Sequence, residues 1–117
     1  MNEINNYAIA AGIVVALSIG FVWIFRFDNI VKEFKQYGLS DLTRNMVGAV
    51  KISMSTLLIA GIWYPALVPV AALVIAFLML SAQFFHFKAG NPRQKHLPSL
   101  ILLILCLFIA AVSMKLI

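Results

Sequence analysis

Apolar residues fill four long stretches of this chain, and polar residues gather between them. The stretches are Tyr7 to Phe25, Met46 to Trp63, Ala66 to Phe87 and Leu97 to Met114. Each comes close to the about 20 mostly apolar residues needed to cross roughly 30 Å of hydrocarbon. In lipid a backbone must satisfy its own hydrogen bonds, which helices of this length do. The ten-residue alternation of a membrane strand is absent. Short connections predict that successive helices lie antiparallel. The expected fold is all-α: an integral membrane antiparallel four-helix bundle, one transmembrane domain over residues 1–117.

A fifth, shorter pattern lies between the first two stretches. In RFDNIVKEFKQYGL, residues 26–39, the side chains of Phe27, Ile30, Val31, Phe34 and Tyr37 share one helical face. Lys32, Glu33, Lys35 and Gln36 fall on the others, and Asp28 precedes Lys32 at the favourable i,i+4 spacing. The spacing predicts an amphipathic helix over about 27–37 lying in the membrane interface. Gly38 is its expected stop. Ser40 or Asp41 is the expected N-cap of the next helix. Pro65 and Pro69 are expected in the first turn of the third long helix and Pro98 in that of the fourth, where a missing N–H costs little.

Composition supports the same solvent. The chain is 63% apolar and 11% charged, against about 45–50% and about 25% in soluble domains. A soluble globule of 117 residues has too much outside for its inside to hide that much apolar surface. The first stretch is expected to be a retained helix rather than a cleaved leader. The residues before it carry Glu3 and no Lys or Arg, and its apolar run is too long for a leader's core.

The net charge of +5 reads as topology. Arg26, Lys32, Lys35 and Arg44 follow the first stretch, and Lys88, Arg93 and Lys95 follow the third. The positive-inside rule puts both basic loops in the cytoplasm and both termini outside the inner (plasma) membrane. Trp63 and Tyr64 are expected at the outer interface, and Trp23, Phe25 and Phe27 at the inner one. Nucleic-acid binding is not expected, because these cations flank spans rather than one solvated face.

Lys51 interrupts the second stretch. It lies about 7–8 Å inside the helix start at about 1.5 Å per residue, so its stem can reach back towards headgroups. Its cost therefore falls below the about 2.5–3.5 kcal/mol of a charge at the bilayer centre. Gln83 and His86 descend to the same level, and Arg26 and Asp28 close the first helix there. Two readings stand side by side. In one, Lys51 snorkels or pairs with Asp28 and the cluster is structural. In the other, Lys51, Gln83 and His86 form the floor of a site for an anionic or quinone-like headgroup, with His86 able to exchange protons.

Other chemistry is thinly represented. Two histidines without a nearby Cys or acid are not a metal signature. The lone Cys106 cannot run a dithiol relay. Ala8, Gly12, Ala16 and Gly20 repeat at every fourth position. Such a row suits close helix packing, within the chain or in a homo-oligomer.

YGLSDLTRNMVGAVKISMSTLLIAGIWYPALVPVAALVIAFLMLSAQFFHFKAGNP resembles the DoxX-like family. A phenylalanine-rich amphipathic segment ends in a Gly-Leu turn, and a G-x-x-K motif, Gly48 to Lys51, opens the second helix. Leu57-Leu58 and Pro65 follow. An A-x-x-x-H-x-x-x-G motif, Ala82 to His86 to Gly90, closes the third. The family includes a small membrane subunit of a thiosulfate:quinone oxidoreductase and relatives tied to membrane redox and thiol stress. The resemblance implies a subunit or accessory factor of a membrane redox process, quinone-linked, with an oxidoreductase partner and no catalysis of its own. It singles out Lys51 and His86. A small proton-coupled transporter and a site-less membrane scaffold stand as alternatives. Small four-span exporters use a carboxylate within a span, and no stretch here holds one.

Overall fold

The computed structural model describes residues 2–90 and 93–116. Among them it is all-α: α1 (Asn2–Phe25), α2 (Phe27–Gln36), α3 (Asp41–Ala60), α4 (Val68–Ala89) and α5 (Arg93–Ser113), with one 3₁₀ turn at Pro65–Leu67. The four long helices form a ring in which α1 touches α3 and α5, and α4 touches α3 and α5. The starts of α1 and α4 meet the ends of α3 and α5 at one end of the molecule. Neighbours are therefore antiparallel. The body measures 44 × 24 × 20 Å, long enough for roughly 30 Å of hydrocarbon.

Small residues turn inward and large ones outward. Ala11, Ala71, Ala72, Ala76 and Ala110 are buried, with Val15, Ile19, Ile75, Cys106 and Ile109 between them. Leu17, Phe21, Phe77, Phe84, Ile104 and Leu107 face out. Leu17 is 67% exposed and Phe77 66%, a surface that water would oppose and lipid accepts. Hydroxyls within the helices bond their own backbone, as Ser55 does to the Lys51 carbonyl at 2.8 Å and Thr56 to that of Ile52 at 2.9 Å.

Among the described residues three segments are long and apolar enough to cross a membrane: Asn5–Phe25, Pro65–Ala89 and His96–Ser113. The fourth expected crossing lies in α3, which begins at Asp41, five residues before the apolar run. Its 20 residues rise about 30 Å, but Asp41, Arg44 and Asn45 make its first turns polar and Lys51 places a charge at its middle. Ser40 is its N-cap and accepts a hydrogen bond from the Thr43 amide at 3.1 Å.

The amphipathic segment forms α2. Gly38 ends it at φ +76°, with its amide on the Lys35 carbonyl at 3.1 Å and that of Leu39 on Phe34 at 3.0 Å. This pair of bonds closes a helix through a left-handed residue. Pro65 and Pro69 open the 3₁₀ turn and α4. Pro98 departs from expectation. It lies inside α5, because that helix begins at Arg93. It removes one backbone donor in a stretch where the side chains of Gln83 and Ser99 hydrogen-bond to the His96 carbonyl at 2.7 and 3.2 Å.

Close approach depends on other glycines than those of the α1 row. A Cβ at Gly12 or Gly20 meets nothing within 4 Å, whereas one at Gly48 would sit 2.5 Å from the Trp23 ring. Gly48→Ala should therefore lower the thermal midpoint in detergent micelles by displacing Trp23, a cost of about 1–3 kcal/mol. Gly20→Ala should be neutral or stabilising in the same measurement.

Candidate functional site

The end of the bundle covered by α2 gathers most of the polar side chains. α2 turns Asn29, Ile30, Glu33, Phe34 and Tyr37 towards the long helices, since residues four apart share a face. Glu33 is the pivot. One carboxylate oxygen accepts from Asn29 Nδ2 at 3.0 Å, and the other accepts from the Tyr37 hydroxyl at 3.5 Å. That hydroxyl also lies 3.0 Å from His86 Nδ1 on α4. His86 Nε2 stands 4.0 Å from Glu33 Oε2, an ion pair when the imidazole is protonated.

Two proton arrangements fit this geometry. With the proton on Nδ1, His86 donates to Tyr37 and Tyr37 donates to Glu33. With it on Nε2, Tyr37 donates to His86 and the Nε2–H faces Glu33. Either way imidazole, phenol and carboxylate form one chain through which a proton can shift. Its ends differ in access, because the His86 side chain is 9% exposed and that of Glu33 20%.

Aromatic rings frame the chain. Tyr37 stacks on Phe85 with centroids 5.3 Å apart. Phe34 meets Trp23 edge-on at 6.3 Å. Lys51 Nζ lies 5.7 Å from the centre of the Trp23 ring, within cation–π range. The charge of Glu33 acts on it from beyond ion-pair distance. Among the described residues no carboxylate lies within ion-pair distance of Lys51.

A second polar knot joins α4 to α5. Gln83 Nε2 donates to the His96 carbonyl at 2.7 Å and to the Ser99 hydroxyl at 2.6 Å. Its Oε1 lies 3.1 Å from His96 Nδ1. The His96 and His86 rings are 5.2 Å apart, so the two knots adjoin.

His86 thus approaches the Glu33 carboxylate, whose charge also acts on Lys51 from beyond ion-pair distance. Gln83 connects to them through His96. Arg26 and Asp28 are exposed at the joint of α1 and α2 and enter none of these contacts. Asp28 takes no ion pair with Lys32 or Lys51 among the described residues. Of the α1 row, Gly12 is buried and Ala16 and Gly20 are half-buried. Among the described residues no group of three His, Cys, Asp or Glu is gathered as a metal ion requires.

Glu33, Tyr37, His96, Ser99 and Trp23 were not among the expected site residues. The sequence held a signal for three of them. Glu33 was expected on the polar faces of α2, away from Tyr37, but it stands four residues before Tyr37, one turn away, and α2 turns both towards the bundle. His86 and His96 stand equidistant from the α4–α5 turn, as do Gln83 and Ser99, so a helical hairpin sets each pair face to face.

The family model described as the DoxX-like family matches residues 8–109, a stretch reaching into every helix. Comparison with curated proteins and with solved structures finds no match.

Removing the phenol should loosen α2. Tyr37→Phe is expected to cost about 0.5–1.5 kcal/mol, one hydrogen bond, and to speed amide exchange across α2 by roughly two- to tenfold. Hydrogen–deuterium exchange by mass spectrometry checks this, with α4 amides as the unchanged reference.

Proposed function

This chain belongs to the DoxX-like family, and from that premise we propose that it is a subunit or accessory factor of a membrane redox process. In this reading α3 is the fourth crossing, the α2 end faces the cytoplasm and both termini lie outside. Arg26, Lys32, Lys35, Arg44 and Lys88 all belong to that end, which agrees with the positive-inside rule. Reporter tags at the two ends should both be reached from outside intact cells. Signal from tags only after permeabilisation would reverse the orientation.

The single observation that carries the reading is Lys51. Its ammonium sits against Trp23, within the field of Glu33, and its donors are not taken up by a carboxylate among the described residues. Such a group suits the oxygen of a quinone-like headgroup, and the neighbouring aromatic rings suit its flat body. A bound quinone would supply a carrier for two electrons and two protons, the electrons coming from a partner oxidoreductase. This chain's part is to bind, orient and exchange protons. Lys51 donates to the headgroup oxygen. The His86–Tyr37–Glu33 chain links the buried side to the more exposed Glu33 carboxylate. The protein then contributes no catalysis alone.

Lys51→Met should reduce quinone recovered with the detergent-purified protein by at least about tenfold, the loss of one charged hydrogen bond. Chromatography of the organic extract measures it. Equal quinone in both proteins, or none in the wild type, would sink the proposal.

One observation favours a second reading. No span holds a carboxylate, but Glu33 is carried by α2 to His86 and Lys51, which gives a small proton-coupled transporter its acid. Substrate-dependent proton flux in proteoliposomes, abolished in Glu33→Gln, would favour transport over the redox role.

A further inference from the structure

The opposite end of the molecule is open where the α2 end is closed. A cavity of about 530 Å³ lies between the starts of α1 and α4 and the ends of α3 and α5. It lies about 25 Å from His96, one length of α5 to Ser113. Its walls are Ala8, Gly12, Leu58, Val68 and Ile109. Its polar lining residues are Asn5, Ser113 and Lys115, all at helix ends. We infer that this cavity holds one acyl-type chain of an anionic amphiphile, with the headgroup at Lys115.

Size and chemistry select that occupant. The volume falls within the about 300–1,000 Å³ of small-molecule cavities. Water is a poor filling, since ordered water needs two to four polar partners each and the walls deep in the cavity have none to give. In a bilayer the surrounding apolar matter is hydrocarbon chain. Gly12 is buried in the wall, yet a Cβ there would meet nothing within 4 Å, so its missing side chain is space left to a ligand.

The mouth adds the sign of the headgroup. Lys115 is the single charged residue among the lining ones. Its backbone adopts φ +61°, a conformation that costs a residue with a Cβ roughly 1–2 kcal/mol and usually falls to glycine. The Lys115 amide bonds the Val112 carbonyl at 3.1 Å, and that of Leu116 bonds Ala111 at 2.8 Å. The last turn of α5 is thereby closed by a lysine rather than a glycine, and this sets the Lys115 backbone at the rim of the cavity. Strained residues of this kind concentrate at ligand clamps. Asn5 and Ser113 add neutral polar groups beside it. The inference does not depend on the quinone reading, which concerns the other end.

The full chain in a non-ionic maltoside micelle, titrated and read by native mass spectrometry, tests it. The probes are oleate, dioleoyl phosphatidylglycerol and oleyl alcohol. The wild type should bind oleate, phosphatidylglycerol or both at one site; oleate alone marks a free fatty acid, phosphatidylglycerol alone a membrane lipid. Oleyl alcohol should bind more weakly by roughly two- to fivefold, the worth of one exposed charge pair. Lys115→Gln should erase that difference. Gly12→Phe should lower binding of every bound probe by at least about tenfold, as expected when the cavity is filled, and Gly20→Phe, outside the lining, should leave it unchanged. Circular dichroism verifies that the helices persist, and Ala8→Leu replaces Gly12→Phe if that variant does not fold. No anionic probe bound, equal affinity for oleate and oleyl alcohol, or full binding in a folded cavity-filled variant would overturn the inference.

Discussion

An apolar solvent on the outside is the constraint from which this architecture follows. Leu17, Phe77 and Leu107 can face outward only where hydrocarbon meets them, so apolarity no longer tells inside from outside. Size takes over that role. Alanines of α1, α4 and α5 line the core, with Leu58 from α3, and the small side chains let the helices close to a cross-section of 24 × 20 Å. Contact between close backbones supplies the packing energy where water cannot drive burial.

The same solvent governs the polar groups. A hydroxyl or amide in hydrocarbon finds a protein partner or carries a desolvation cost. Ser55, Thr56 and Ser81 bond backward to their own helix. Gln83, His86 and His96 bond across helices instead, and Ser99 does both, reaching its own helix at the His96 carbonyl and α4 at Gln83. α2 completes the arrangement. It supplies Asn29, Glu33 and Tyr37, which no long helix has at that level, and it is held there by the groups it satisfies. The candidate site and the docking of α2 are therefore one set of hydrogen bonds.

The two ends contrast for a reason visible in their connections. The α1–α3 connection contains a ten-residue helix that lays aromatic and polar side chains over the bundle. The α3–α4 connection is only a short turn into Pro65–Leu67 and covers nothing. With small residues at Ala8 and Gly12, the uncovered end keeps its cavity.

The sequence alone determined the solvent, the helices and their antiparallel order, because run length and composition are local properties that fix where a chain can cross lipid. It also marked Lys51 and His86, since an ionisable group in an apolar run stands out. The partners of these residues were decided by tertiary structure. Glu33 and Tyr37 lie on a short helix whose rotation about its axis is set by what it docks against. The fold-back of α4 on α5, not any motif, aligns His96 and Ser99 with His86 and Gln83. Gly48 and Gly12 look alike in sequence. Only packing makes one the seat of a tryptophan and the other the wall of a cavity, because the space beside a residue without a side chain belongs to its neighbours.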